Sequence, residues 1–475
     1  MLFNSLQFIG FFPGICLIYW LLNSILPRKY RLAVCNALLL VGSYYFYMCW
    51  QPKYAILLLI STAVTYGAAI LIESSNSVRG KKLWLTAAIV LNLAILFFYK
   101  YYAFAADSIS TLLSSMGIAI SIPGFDVLLP VGISFYIFQA LGYSIDVYRG
   151  NVPAERNFFT YALFVSFFPQ LVAGPIERST NLLPQFKEHH KFDYDFAMSG
   201  FKLMLWGYFI KLCIADRAAL YVDPVFDNLS NHEGYSTLIA SILFTIQIYG
   251  DFAGYTFIAI GCGRILGFRL NDNFRRPYFA VSITDFWRRW HISLSTWLRD
   301  YVYFPLGGSR TTKAKTYRNL LITFGVSGLW HGANWTFVLW GMLHGISMCV
   351  ERALGYNKNT FHSWNKALHI FATLFLVNLA WVLFRADSIS DAVIAFSLMF
   401  SPSDFVLVNG IFTASLVFFA SFIVFVKETI EELNCKTSSI LNKPIFSDYL
   451  WSVFLLTCIG VLGVFEGGQF IYFQF

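Results

Sequence analysis

Charge is what this chain has little of. Asp, Glu, Lys and Arg make up 13% of its 475 residues, against 57% hydrophobic. Soluble domains carry about twice that share of charge, roughly 25%, so a water-soluble globular protein is excluded. Several catalytic signatures are missing as well. No HExxH, Walker loop or GxSxG is present, which removes the zincin, P-loop and nucleophile-elbow chemistries. Cysteine pairs are absent too. Cys16, Cys35, Cys49, Cys213, Cys262, Cys349, Cys435 and Cys458 are scattered without a CxxC, mostly inside apolar runs. They read as small packing residues, neither a disulfide framework nor a metal site. The opening MLFNSLQFIGFFPG lacks the basic leader of a secretory signal and is expected to remain as a first span.

What is there is hydrocarbon. Backbone crossing a bilayer must be helical or a closed barrel, and continuous rather than alternating apolar runs select helices. The expected fold is an all-α polytopic membrane protein. Candidate spans are 3–26, 32–50, 54–73, 82–100, 127–147, 198–220, 236–261, a broken pair over 320–353, 367–385, 410–427 and 448–465. Residues 158–174 form a shorter run ended by Pro169, Gly174 and Pro175, read as a re-entrant segment. The total is roughly 11–13 transmembrane or re-entrant helices. The 50 Phe, 27 Tyr and 13 Trp suit wide lipid and interface contact. No domain boundary or internal repeat stands out.

The net charge of +8 bears on orientation more than on acidic partners, and no nucleic-acid partner is expected. With the N-terminus outside, the inner loops hold all of the 34 lysines and arginines except Lys53, Lys100, Lys202, Lys211, Arg217 and Arg385. The outer loops 101–126, 221–235 and 386–409 then hold none, as the positive-inside rule requires. Gly263/Gly267 and Gly341/Gly345 are GxxxG pairs that permit close helix packing.

Two stretches carry chemistry. Residues 319–354 are apolar almost throughout, yet they include His331, Asn334 and His344. The apolar run before His331 reaches roughly 16 Å as a helix, about half of a ~30 Å hydrocarbon core. His331 is therefore expected near mid-depth, at a break marked by Gly332, facing a water-filled cavity or polar partners. A buried histidine bonded to a backbone carbonyl would leave the same pattern. His344 lies about 20 Å further along a continuous helix, too far to bond His331, which suits a structural role. The second stretch, 282–303 (SITDFWRRWHISLSTWLRDYVY), lies in an inner segment too long for a simple loop. Ser282 and Asp285 form a capping-box-like start. Trp287, His291, Leu294 and Leu298 recur on one helical face and Arg288 and Arg299 on another. An interfacial amphipathic helix reads the same way.

Two histidines in a buried polar pocket suit transfer of an acyl group from a thioester to a hydroxyl. Neutral imidazole takes the hydroxyl proton near neutral pH. Asn334 and the indole N–H groups of Trp330 and Trp290 are candidate oxyanion donors. Arg288, Arg289 or Arg299 could hold the phosphates of coenzyme A. A transporter with a histidine proton relay would look similar, and a structural scaffold is a third reading.

Several motifs narrow the choice. WHG at 330–332, RRWHISLS at 288–295 and YGDFAGY at 249–255 together resemble the membrane-bound O-acyltransferase superfamily. VGISFYIFQALGYSIDVYRG at 131–150, FFPQLVAGPIER at 167–178, NFRRPYFAVSITDFWRRWH at 273–291 and WVLFRADSISDAV at 381–393 are of the kind seen in its bacterial alginate O-acetyltransferase branch. The resemblance covers most of the chain. It implies one integral-membrane domain over 1–475, with a core of about 127–353 and extra C-terminal spans over 367–475, around a central tunnel. His331 corresponds to the family's catalytic histidine and His291 to its second histidine position. Asp251 of YGDFAGY joins Asn334, Trp330 and Trp290 as a supporting candidate. The implied activity moves acetyl groups from a cytosolic donor, acetyl-CoA, across a bacterial inner membrane for O-acetylation of an exported polysaccharide such as alginate or another cell-envelope glycan. The implied partners are membrane lipids, that polysaccharide and a periplasmic or membrane-anchored acetyltransferase; no permanently bound cofactor is implied. D-alanyl transfer to teichoic acid uses the same histidine motifs, usually without the long C-terminal tail.

Overall fold

The computed structural model describes residues 1–118, 122–125, 128–172, 174–356, 365–402, 408, 410–433, 444–465 and 470–471. Cys435 and most of the inner loop expected over 431–447 lie outside the described residues. Every regular element among the described residues is helical, and the chain is an all-α polytopic membrane protein. It divides into two compact units, residues 1–201 with 259–271, and residues 202–258 with 272–475.

The first unit runs through α1 (Leu6–Ile25), α2 (Arg28–Met48), α3 (Ala55–Ser74), α4 (Val78–Leu96), α5 (Tyr102–Ser115), α6 (Ile133–Arg149), α7 (Phe158–Ser166), α8 (Phe168–Leu171) and α9 (Leu182–Gln185). Start signals are local. Ser5 caps α1 by accepting from Phe8 N at 3.3 Å, and Asn157 caps α7 by accepting from Phe159 N at 3.0 Å; each satisfies an orphan N–H of the first turn. The expected re-entrant stretch is the short pair α7 and α8, in which Thr160–Ser166 and Phe168–Leu171 are all buried in protein. Beyond α8, Glu177 is buried and ties two loops together. Its Oε1 accepts from Asn271 N at 2.6 Å, and its Oε2 from Asn271 Nδ2 at 2.7 Å and Asn181 Nδ2 at 2.8 Å.

The second unit is built on residues 202–208 of α10 (Tyr194–Tyr208), α11 (Asp216–Phe226), residues 234–258 of α12 (Gly234–Ile265), α13 (Ile283–Arg289), α14 (Ile292–Leu298), α15 (Lys313–His331), α16 (Trp335–Ala353), α17 (Lys366–Arg385), α18 (Ile389–Met399), α19 (Gly410–Glu432) and α20 (Pro444–Leu462). Helices α15 and α16 are the expected broken pair. They touch backbone to backbone because Gly341 has no Cβ: one there would lie 2.2 Å from Phe324 O. The break leaves no room for a side chain at its first residue, since a Cβ on Gly332 would sit 2.0 Å from the Phe337 ring.

Seven helical segments among the described residues are long and apolar enough to cross a bilayer: Leu6–Ile25, Pro52–Ser74, Val78–Ser115, Tyr194–Phe226, Gly234–Ile265, Lys366–Arg385 and Phe412–Glu432. Helices α2, α6, α15, α16 and α20, counted among the expected spans, fall outside that set. Residues of α6 are buried almost throughout its length. α15 begins with the polar run KAKTYRN.

The stretch 282–303 departs from the single helix that its periodicity suggests. Ser282 does cap it, accepting from Asp285 N at 3.0 Å. The helix then stops at Arg289, and His291 takes a left-handed conformation with φ 43° before α14 resumes. A non-glycine residue stays there only where its surroundings hold it.

Candidate active site

His331 closes α15 and is buried among rings. Trp330 meets it edge-on at 5.0 Å between centroids, Trp340 at 4.8 Å and Phe384 at 5.5 Å. Edge-to-face packing of this kind sets the ring's orientation. His291, forty positions earlier, arrives in the same cage. Phe252 of α12 packs edge-on against it at 4.6 Å, and Trp330 does so at 5.6 Å. The two imidazole centroids are 6.2 Å apart with planes at 64°. That spacing is too long for a direct N–H···N bond. Trp330, with a ring contact to each, is the one predicted oxyanion donor placed beside both histidines.

The turn that presents His291 is tied to the loop before α13. Asn273 is fully buried. Its Oδ1 accepts from Ser293 N at 3.1 Å and Ser293 Oγ at 2.9 Å, and lies 3.2 Å from His291 Nδ1. Its backbone oxygen accepts from Ile292 N at 3.0 Å, and Arg275 N donates to Arg289 O at 2.9 Å. These tertiary bonds hold the left-handed turn. Burial pushes the His291 pKa down to about 3, so the ring is neutral at any physiological pH.

The other predicted residues are placed differently. Trp290 is wholly buried one layer away, with Trp381 and Phe274 each at 5.0 Å and Phe286 stacked at 5.5 Å. Asn334 caps α16, accepting from Thr336 N at 3.0 Å while its Nδ2 donates to Asp387 O at 2.7 Å. Both ends of its amide are thus engaged in holding the start of α16. Asp251, one residue before Phe252, pairs with Lys211 Nζ at 2.5 Å and accepts from Ile471 N at 2.6 Å. Among the three arginines, Arg288 is exposed. Arg289 pairs with Asp285 at 2.9 Å and with Glu432 at 3.0 Å, and Arg299 pairs with Asp300 at 2.8 Å. His344 packs on Trp340 at 5.0 Å, and Trp340 lies between it and His331.

Sequence reasoning passed over Asn273, Phe252, Trp340 and Phe384. Asn273, Phe252 and Phe384 sit inside quoted motifs, but nothing local in those motifs marks their role. Lys211, a charge inside the expected span 198–220, has partners that no local pattern shows. Lys211 is 1% exposed, inside the wide-turn segment Phe209–Ala215, and pairs with Asp216 at 2.6 Å as well as with Asp251. Intramembrane charges persist when paired in this way. An apolar cavity of about 480 Å³ opens between Ile210, Tyr249, Tyr278, Ile370, Phe425 and Glu428. Tyr249 donates to Glu428 there, and the Tyr249 and Tyr278 rings each lie 6.2 Å from Trp290.

Paired imidazoles beside an indole N–H can accept a proton from a hydroxyl and donate to a carbonyl oxygen, the requirements of acyl transfer. Residues 153–389 match the membrane-bound O-acyltransferase family. The chain is 40% identical to a probable alginate O-acetylase of Azotobacter vinelandii over 86% of this chain and 79% of that protein. It is 41% identical to a probable alginate O-acetylase of Pseudomonas putida over 86% of this chain and 82% of that protein. It is 34% identical to a peptidoglycan O-acetyltransferase of Helicobacter pylori over 100% of this chain and 98% of that protein. Both caged histidines fall inside the matched residues, and with relatives this similar over most of their own length the chain belongs to the membrane-bound O-acyltransferase family and is an acyltransferase.

Proposed function

We propose that this protein takes acetyl groups from acetyl-CoA on the cytosolic side of a bacterial inner membrane and passes them outward for O-acetylation of an exported polysaccharide. The acceptor class follows the relatives, which are named for alginate and for peptidoglycan. The whole chain, 1–475, acts as one integral-membrane catalytic unit with its N-terminus outside. A periplasmic or membrane-anchored partner carries the acetyl group to the polymer where transfer is not direct. Arg288 is exposed and suits the donor phosphates better than Arg289 or Arg299, whose guanidinium groups are already paired.

The observation that carries the reading is the His331–His291 pair, 6.2 Å apart, with the Trp330 ring against both. His331 is the general base. The acceptor hydroxyl oxygen attacks the thioester carbonyl carbon, and its proton passes to an imidazole lone pair. The tetrahedral oxyanion forms against Trp330 Nε1–H, the C–S bond breaks, and the proton leaves on the thiolate sulfur. The sum is neutral in protons, so a recycled base suffices. The test is release of free coenzyme A thiol by purified protein given acetyl-CoA and an acceptor hydroxyl. A parallel measurement compares ester-bound acetate on peptidoglycan and on extracellular polysaccharide in a deletion strain. No thiol release and no change in either polymer would reject acetyl transfer in favour of the transporter reading.

A further inference from the structure

We propose that Asn273 is a positioning residue that holds neutral His291 in its Nδ1–H tautomer, so that His291 meets the reaction only as an acceptor at Nε2. This rests on the acyl-transfer reading above and divides the labour within it.

The tautomer follows from what surrounds one atom. Ser293 N–H is a backbone donor and cannot accept. The Asn273 side-chain atom 3.1 Å from it is therefore the amide oxygen rather than the nitrogen. Ser293 Oγ, 2.9 Å away, donates to the same oxygen. An oxygen with no proton of its own also faces His291 Nδ1 at 3.2 Å, so Nδ1 must carry the hydrogen. In a neutral imidazole the lone pair is then on Nε2. Among the described residues Asn273 Nδ2 has no hydrogen-bond partner, so the amide is held through its oxygen alone. The backbone supports the arrangement: Asn273 O takes Ile292 N–H at 3.0 Å, and His291 is kept at φ 43°. The ring cannot turn without losing its Nδ1 contact to Asn273, and three further bonds to Asn273, from Ile292 N, Ser293 N and Ser293 Oγ, hold the turn that carries it.

The consequence is a restriction. An Nδ1–H imidazole facing Asn273 cannot donate to a developing oxyanion through Nε2 unless it has first taken a proton. His291 therefore receives the hydroxyl proton or orients the hydroxyl beside His331, and oxyanion donation falls to other groups such as Trp330 Nε1–H. A proton accepted at Nε2 is returned to the thiolate sulfur, and the ring ends as it began.

The test uses full-length protein carrying ¹⁵N-labelled histidine, with the His291 signals assigned by their loss in His291→Gln. The expected result is a protonated Nδ1 and an unprotonated Nε2. A proton on Nε2 would overturn the proposal whether or not the preparation transfers acetyl groups. In the kinetic arm, Asn273→Ala should lower kcat about tenfold or more at unchanged KM for acetyl-CoA, the scale seen when a ring's orienting partner is removed. Asn273→Asp keeps an acceptor against Nδ1 and both Ser293 donors. It should recover most of kcat and move the acid limb of the pH–rate profile to higher pH, because a carboxylate stabilises the imidazolium that cannot accept. An Asp variant as impaired as the Ala variant, or an unmoved acid limb, would overturn the role. Wild-type protein with no transferase activity but the expected tautomer would fault the functional reading and leave the placement of the proton standing.

Discussion

Arg289 grips Glu432 with both prongs of its guanidinium, Nη1 to Oε2 at 3.0 Å and Nη2 to Oε1 at 3.1 Å. The pair joins the end of α13 to the end of α19. Glu432 also takes Arg276 Nε at 2.9 Å, so one carboxylate anchors both ends of the segment that leads into His291. Forked pairs of this kind add geometry as well as energy.

Arg289→Lys keeps the charge and loses the fork. If the pair positions the His291 turn, the variant should lower kcat about tenfold, with KM for acetyl-CoA unchanged; small misplacements of reacting groups cost up to about 10². Glu432→Ala should do the same. A raised KM at constant kcat in Arg289→Lys would instead make Arg289 a ligand of the donor phosphates. Steady-state kinetics on detergent-solubilised protein separates the two.

His331, His344 and Asn334 should respond in three different ways. Removing a general base costs about 10²–10⁴ in rate, so His331→Ala should lose thiol release while folded yield stays near normal. His344→Ala takes a ring away from Trp340, Trp287 and Phe286 and should act through stability. Asn334→Ala removes the cap of α16 and a bond to Asp387 O. A lost cap costs about 1 kcal/mol, with little change in activity per folded molecule. Turnover normalised to monodisperse protein is the measurement. Wild-type turnover in His331→Ala would remove it from the mechanism.

The break at Gly332 was legible because its causes are local: a glycine, then an Asx-type cap at Asn334. The close approach at Gly341 was legible for the same reason, as a missing Cβ recurring at helical spacing. The break at His291 was not. Residues 282–303 keep helical periodicity across it, and the bonds that impose the left-handed turn come from Asn273, eighteen positions upstream. The partners of Lys211 were hidden likewise. Asp216 is five residues on and Asp251 forty, and no pattern within a span says which carboxylates fold against a lone lysine. Periodicity reports which face is apolar, and distant hydrogen bonds decide where that face is interrupted.

Lys211 offers a test of that hidden network. It is 1% exposed and stands between Asp216 and Asp251, themselves 4% and 5% exposed. Removing one partner of a buried ion pair costs about 3–5 kcal/mol, because the remaining charge has lost its compensation. Lys211→Met should therefore lower the yield of monodisperse protein severely. The combined Lys211→Met, Asp216→Asn, Asp251→Asn variant removes charge from all three and should restore much of it. A single Lys211→Met variant with wild-type yield and thermal stability would show that the network is not needed for folding.

Glu177 contributes a pH dependence of its own. Burial pushes its carboxyl up to about 7, against the hydrogen bonds from Asn181, Asn271 and the Arg178 backbone that favour the anion. An acid whose pKa is raised by folding binds its proton more tightly in the folded state. Its stabilising contribution is complete below about 4.5, the ordinary value for glutamate, and is lost as pH rises through about 7. The melting temperature of the wild-type protein should fall between pH 5 and pH 8 by more than that of Glu177→Gln. The glutamine variant pays a different cost. Its amide keeps one acceptor for the two Asn side chains at Oε2, but sets an N–H against Asn271 N, which now donates to Oε1 at 2.6 Å. That penalty is independent of pH, so the two proteins should differ in slope as well as in height. Parallel melting curves across pH 5 to 8 would mean that Glu177 keeps an ordinary carboxylate pKa, with its hydrogen-bond donors outweighing burial.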